Sequence, residues 1–551
     1  MLFDPQSQSV STFQRRAYGT VGLALLVGFY LLAGLLGHEP WRGDDARHFG
    51  PVYSMLRGEG LLFPLIGGQP FTDYPPLYYW CATSFAFLFG AVFDAPGGAR
   101  LASAFFTALT VWWVARAAEH LHGRPARTPA ALLTLGSLGL VLPAHETQPL
   151  LALMAMVALV LEGISRIPLR PVGGGLQAGL GCALAFLAGG LTGLILTVPL
   201  FLVAMMLSTE CRNARASSAL IAGLALATTL TVLWPLALHL TMPDVLVNWL
   251  RLGWRQIGAR GLELSSLPRF IELLGWFLWP LWPIALWALW RNRGQLVLLR
   301  WMLPLASALI ALLLQLVSNN HSPPAALPLL PAVALLAAGG LSSLRRGAAN
   351  AFDWFAAMTF GVFAILVWLA WSAQVFAWPP GLARYVAKTA PSFVHTDAPW
   401  QAVIGAGICL FWLVLAWRLP KSQGRASANW AMGMTMLWCL AVTLLMPWFD
   451  HTRTYQPMMA EIRHTLTPYQ KECVASTELT SPVRSMLDYY VGIRPVLVAD
   501  GTTPCRVLLI HVEGKDAEPV SLQGWEPIGD FHRGGGKQYE AFHLYLRSDG
   551  D

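Results

Sequence analysis

Long apolar runs separated by short polar links set the pattern of this chain. A membrane-spanning helix needs about 20 mainly apolar residues. Such runs begin near positions 18, 99, 129, 150, 175, 193, 217, 269, 296, 325, 351, 401 and 429. The pattern predicts an all-α polytopic membrane domain of about thirteen transmembrane helices. The first run, Tyr18 to Leu36, follows Arg15 and Arg16 and could pass for a signal peptide. It is long enough to span and no A-x-A cleavage site follows it, so it reads as a retained helix.

One apolar stretch, Leu77 to Phe93, is left out of that count, because counting it would invert every later loop. With it excluded, alternate loops hold Arg124 and Arg127, Arg166 and Arg170, Arg212 and Arg215, Arg291 and Arg293, Arg345 and Arg346, then Arg418, Lys421 and Arg425. Basic short loops mark the cytoplasmic side. The excluded stretch follows Asp73, Tyr74, Pro75 and Pro76 and opens with Tyr78, Tyr79 and Trp80. An aromatic-rich start suits an interfacial or re-entrant helix on the outside.

The odd number of spans places the N-terminus in the cytoplasm and residues 448–551 outside. The expected organisation is therefore a transmembrane domain, 1–447, with outside loops 38–98, 240–268 and 375–400, and a polar tail, 448–551. The tail has short β-like runs, Pro495 to Ala499 and Arg506 to His511, between helical and turn-rich pieces. It reads as a small, separate α/β domain.

Composition agrees and removes other classes. The 551 residues are 55% hydrophobic and 12% charged, with mean hydropathy +0.51, unlike a soluble globule. The net charge of +7 sits in short clusters between apolar runs, and no basic stretch interleaved with aromatics offers a nucleic-acid surface. Of seven cysteines, five lie in or beside apolar runs, while Cys473 and Cys505 lie in the tail. An oxidising outside compartment favours a Cys473 to Cys505 disulfide over two buried thiols. No cysteine spacing resembles a zinc site.

Candidate chemistry gathers in the outside loops. The first loop holds Asp44, Asp45, Arg47 and His48 within five residues, ahead of a short helix. Adjacent helical positions point about 100° apart, so one aspartate faces a given cleft with Arg47 or His48 on the same side. Such a pair could take a proton from a nucleophile while the arginine holds a phosphate; a plain helix cap reads equally well from spacing.

Asp73 and Tyr74 open an aromatic run suited to sugar rings, lipid headgroups or an interface belt. Glu146 and Gln148 lie in a turn at the end of a helix pair, where an ordinary capped turn is the alternative. Arg251 and Arg255, with Arg260, Trp249 and Trp254, form a basic aromatic segment fit for a lipid phosphate or for headgroup anchoring. His321 precedes Pro323, Pro324, Pro328 and Pro331, a density that frees carbonyls and bends a helix, as a cavity wall or a kinked end.

Taken in order, these pieces resemble the bacterial aminoarabinose transferases of lipid A and, more distantly, the protein O-mannosyltransferases, membrane glycosyltransferases of the GT-C fold. The family's Asp-Glu-x-Arg-Tyr motif is matched by Asp44 to His48, and its Phe-Glu-Lys-Pro element loosely by Thr72 to Pro75. Its Ser-Lys-x-Lys-x-Pro stretch looks like Ser318 to Pro323, followed by Leu327 and Pro328, with the lysines gone. An Asp-Pro is replaced by Gln148 and Pro149, and a Lys-Gly by Gly189 and Gly190. These departures bear on the substrate more than on the reaction, and the broader set adds other sugars, such as galacturonic acid, or uses other acceptors.

The resemblance implies inverting transfer from a polyprenyl-phosphate sugar to lipid A or another glycolipid at the periplasmic face of the bacterial inner membrane. Asp44 would be the base. Arg47, Arg255 and His321 would meet the phosphate, and Asp45, His48, Asp73, Tyr74, Glu146, Gln148 and Arg251 would line the substrate site. A transporter or flippase for the same lipid, and a non-catalytic scaffold, are the alternatives; no inverted repeat is visible, and the polar residues cluster at one face instead of the middle. Asp44, Asp45, Asp73, Glu146, His48 and His321 have the donor atoms for a divalent metal, but no fixed ligand spacing requires one, so a metal stays unassigned.

Overall fold

The computed structural model describes residues 21–258, 266–318, 322–390, 393, 399–419, 424–498, 503–513, 522–533 and 540–548. In chain order, the first half comprises α1 (Val21–Leu32), α2 (Asp44–Leu56), the hairpin β1 (Leu65–Ile66) and β2 (Gln69–Pro70), α3 (Leu77–His122), α4 (Arg127–Leu135), α5 (Leu150–Arg166), α6 (Pro171–Gly189), α7 (Leu191–Leu207), α8 (Ala214–Thr241) and α9 (Pro243–Gly258). The second half continues with α10 (Leu267–Phe277), α11 (Leu281–Arg291), α12 (Leu299–Ser318), a 3-10 segment Pro323–Leu329, α13 (Leu330–Leu341), α14 (Arg346–Val375), α15 (Pro380–Thr389), α16 (Pro399–Arg418) and α17 (Arg425–Arg453).

Each of the thirteen expected runs falls on a helix, but not each helix is a full span. Among the described residues, eight helices are long and apolar enough to cross a membrane, or up to ten if two sharply bent pairs each count once. The described part of α1, α5 and α7 are shorter than a span, the last two at 17 residues each. Apolar run length marks where a helix forms, whereas bends and packing decide how much of it lies across a bilayer. The protein is a multi-pass membrane protein.

The excluded stretch and the next span form one helical element, α3, broken at Asp94 (φ 62°, ψ 169°). Asp94 Oδ1 accepts the Gly97 backbone N–H at 2.5 Å, so Asp94 caps the second arm, and Pro96 is tolerated in its first turn. The first arm leaves Phe87, Leu88 and Val92 exposed, a surface suited to lipid.

The tail contains α18 (Gln456–Leu466), β3 (Val474–Ser476), α19 (Ser481–Met486), β4 (Val496–Leu497), β5 (Val507–Glu513), β6 (Trp525–Arg533) and β7 (Glu540–Arg547). Its sheet has the order β4-β3-β5-β7-β6, parallel among β4, β3 and β5 and antiparallel beyond. Cys473 and Cys505 are joined by a disulfide beside this sheet. Helix α17 runs through to Arg453, so position 448 lies inside it.

The tail shares its core with the helical part. Met458, Ile462, Val483 and Met486 belong to the same buried cluster as Phe49 and Val52 of α2. The small sheet domain of the tail packs against α2 as a buttress. Arg57 grips Asp488 at 2.7 and 3.1 Å, Arg42 meets Glu540 at 2.8 Å, and Phe49 packs edge-on to Tyr489. Gly50 lets α19 approach: a Cβ there would lie 2.2 Å from Ser485 Oγ.

Candidate active site

At the tail-side end of the helical bundle lies a cavity of about 940 Å³. Asp44 and Arg47 of α2 form one wall, with Thr72, Asp73, Tyr74 and Pro75 beside them. Trp249 and Arg255 of α9 form another, and Leu150, Leu153, Leu196, Ala311 and Leu314 supply an apolar lining. The turn at Gly190 closes the side between α6 and α7; its φ of 61° suits glycine, and a Cβ would lie 2.9 Å from Trp249. Trp249 is fixed in turn by Trp234, edge to face at 5.0 Å, whose indole donates to the Leu62 carbonyl at 2.9 Å.

The two aspartates at the start of α2 part company. Asp44 lines the cavity and accepts a hydrogen bond from Gln148 Nε2 at 3.1 Å. Asp45 turns into the core, where Arg100 of α3 meets it at 2.9 Å and both side chains are essentially inaccessible. Asp45 also accepts from the Trp41 and Thr147 backbone N–H groups at 3.0 and 2.8 Å. Burial works against its charge, but Arg100 outweighs burial and holds the carboxyl at about 2, below the usual range. Asp45 is thereby a structural ion pair, outside the cavity lining.

Arg47 reaches back across the cavity wall to pair with Asp73. Burial raises the Asp73 carboxyl, and Arg47 opposes that rise. His48 is buried with Asp45, its Nδ1 at 2.9 Å from the Tyr79 hydroxyl; burial and the Arg47 charge push it well below the usual histidine range, so it is held neutral. Its ring lies 5.5 Å from that of Tyr74, which lines the cavity. The seven-residue reach from Asp44 to Gly50 thus carries a charged cavity face and a packed face on one helix, the latter holding the neutral His48 and the Asp45 carboxylate that Arg100 balances.

Glu146 stands behind the wall, 3.9 Å from Arg453, with its carboxyl raised to about 8 by burial and by Asp45. Gln148 is buried and serves Asp44 instead of facing the cavity itself. Arg251 is exposed and away from the cavity lining, whereas Arg255 lines it. Ser318, Ser322, Pro324 and Pro328 line the cavity, but His321 lies outside the described residues. Among the described residues, no three or more His, Cys, Asp and Glu side chains converge to hold a metal ion. The donors named from sequence are scattered because Asp45 and His48 face the core while Asp44 and Asp73 face the cavity.

No family model matches the sequence. Over 240 residues the chain is 26% identical to the undecaprenyl phosphate-alpha-4-amino-4-deoxy-L-arabinose arabinosyl transferase 1 of Pseudomonas fluorescens, a match spanning 42% of this chain and 41% of that curated relative. The crystal structure of ArnT from Cupriavidus metallidurans bound to undecaprenyl phosphate superposes with a TM-score of 0.70 at 16% identity, covering 95% of this chain and 97% of ArnT. Its apo state gives 0.65, covering 96% and 98%. The chain has the GT-C fold of ArnT. Its likeness to ArnT therefore runs through the helical part and the tail together.

Within this ArnT-like frame, two residues escaped the sequence reading. Arg100 is a fully buried cation in a spanning helix, and an intramembrane charge needs a partner, which was a usable signal. Gln315 lines the cavity from α12, and nothing in its local sequence distinguishes it from a solitary polar residue in a helix.

Proposed function

We propose that this chain is an inverting glycosyltransferase that moves a sugar from a polyprenyl-phosphate donor to an envelope acceptor, lipid A or another glycolipid, at the periplasmic face of the bacterial inner membrane. The observation that carries this reading is the cavity that gathers Asp44, Arg47, Asp73 and Arg255 at one end of the bundle. Likeness to ArnT over nearly the whole chain supports it. The basic alternate loops support a cytoplasmic N-terminus, and the disulfide supports an oxidising compartment for the tail.

In this mechanism the acceptor hydroxyl attacks the anomeric carbon from the face opposite the phosphate. The bond from that carbon to the phosphate oxygen breaks, and its electron pair leaves with the polyprenyl phosphate. Asp44, held by Gln148, receives the hydroxyl proton. Arg47 and Arg255 offset the charge that grows on the leaving phosphate. Asp73, already pushed toward its neutral form by burial, shares Arg47 with the phosphate when the donor is bound.

The test is transfer by purified protein in liposomes supplied with synthetic undecaprenyl-phosphate sugars and lipid A. Asp44→Asn lowers turnover by roughly 10²- to 10⁴-fold, the usual worth of one base. Full transfer by that variant would remove Asp44 as the base. Translocation of labelled lipid without any covalent product would favour a flippase instead.

A further inference from the structure

Among the described residues, the charged side chains that line the cavity are Asp44, Arg47, Asp73 and Arg255, two of each sign. Arg47 and Asp73 pair on the cavity wall, and neither is shut away, since their side chains are 35% and 24% exposed. A ligand in the cavity can therefore reach both partners. Asp44 stands apart from this pair, because its carboxylate accepts the Gln148 amide N–H at 3.1 Å. A hydrogen bond donated to a carboxylate favours its charged form.

We propose that the phosphodiester of the donor binds together with a proton that settles on Asp73, an inference that rests on the function proposed above. A sugar-linked polyprenyl phosphate carries one negative charge, and it enters a cavity lined by equal numbers of acidic and basic side chains. The cation it meets on the α2 wall is Arg47, the same guanidinium that keeps Asp73 ionised. Burial already raises the Asp73 carboxyl and Asp44 adds to the rise, while Arg47 opposes both. The phenols of Tyr74 and Tyr79 also feel its charge, and Arg255 of α9 lies in the same lining. Once the phosphate offsets Arg47, the opposition to burial is gone. A carboxylate that loses a neighbouring guanidinium gains proton affinity by about 10- to 1000-fold. Asp44 keeps the amide donor of Gln148, so Asp73 takes the proton and Asp44 stays free to act as base. The proton comes from solvent and returns to it when the polyprenyl phosphate leaves.

A group that holds its proton more tightly in the complex than in the free protein makes binding tightest at low pH. Affinity then falls as pH rises between the two proton affinities, by up to about 10-fold per pH unit, and is level outside that window. The experiment measures binding of undecaprenyl methyl phosphate to the full-length protein in detergent by calorimetry from pH 5 to 9. This probe is a diester and does not itself titrate there. At each pH, two buffers of different ionisation enthalpy count the protons taken up.

The wild type takes up a fraction of one proton, and its Kd rises at least about 10-fold across the window. Asp73→Asn removes both effects and binds the diester at least about 10-fold more tightly than the wild type at the alkaline end. Asp73→Glu restores the uptake. No uptake by the wild type at any pH, or uptake that persists in Asp73→Asn, would overturn this inference alone. A wild type that binds no diester at any pH would overturn the proposed function as well.

Discussion

The two faces of α2 place neighbouring aspartates in opposite media. On one face Asp44 and Arg47 look into a cavity, each hydrogen-bonded among the described residues to one side chain, Gln148 and Asp73, with Arg47 also over the Phe71 ring. On the other face Asp45 is locked by Arg100 and two backbone N–H groups in the core. A group meant to change protonation or meet a ligand needs spare hydrogen-bonding capacity, whereas a group meant to hold helices together needs all of it used. The same residue type, one position apart, is thereby fitted to chemistry in one case and to assembly in the other.

Exchanging carboxylate for amide at each position is the strongest way to break this comparison. Asp44→Asn leaves thermal stability near wild type and removes roughly 10²- to 10⁴-fold of the transfer rate, as argued for the base. Asp45→Asn strands the Arg100 charge in the core and costs on the order of 3–5 kcal/mol of stability. It is read as a lower Tm in detergent and a smaller monodisperse fraction. Replacing both partners, Asp45→Asn with Arg100→Met, recovers part of that loss. A Tm unchanged by Asp45→Asn would show that the pair contributes little and that the two faces are less distinct than the geometry implies.

What could be read from the chain follows the range of each interaction. Helix positions depend on local apolar runs, so each expected run falls on a helix, from Val21–Leu32 to α17. Successive helical residues point about 100° apart, so the sequence showed that the two aspartates would face different ways, but not that Asp45 would leave the cavity lining. The break at Asp94 was available in the sequence Asp94, Ala95, Pro96, a cap followed by a proline, although the expectation treated the arms as unconnected. Arg100 lies 55 residues from Asp45 and Gln148 lies 104 from Asp44, so those pairings exist only once the helices have packed. The same holds for the tail, whose composition marks an α/β unit but cannot show that it shares a core with α2.

That shared core yields a smaller effect that sharpens the comparison, because α19 presses on the packed face of α2. Gly50→Ala would place a Cβ 2.2 Å from Ser485 Oγ, so one of the two elements must shift. Overpacking of this kind costs about 1–3 kcal/mol. Where α2 is the element that shifts, Asp44 and Arg47 move with it, and turnover falls along with Tm. Ser485→Gly combined with Gly50→Ala removes the clash and restores both. If Gly50→Ala lowered Tm but left turnover intact, the tail would support the fold without setting the position of the cavity face.

The smallest effect concerns Glu146, which stands between the two faces, with Asp44, Asp45, Arg100 and Arg453 acting on it. Burial is the main cause that raises its carboxyl from 4.5 to about 8, the two aspartates add to the rise, and Arg453 opposes it. A carboxyl raised on folding binds its proton more tightly in the folded state than in the unfolded chain. Below about pH 4.5 both states are protonated and the group makes no pH-dependent contribution. Between about pH 4.5 and 8 the unfolded chain ionises first, so folding stability falls as pH rises, and above about 8 the loss is complete. Glu146→Gln removes the titration while keeping the shape. Its Tm advantage over wild type should therefore widen across that window and stay level beyond it. An advantage that is constant with pH would mean that Arg453 keeps Glu146 ionised throughout, making it a second fixed charge on the assembly side of α2.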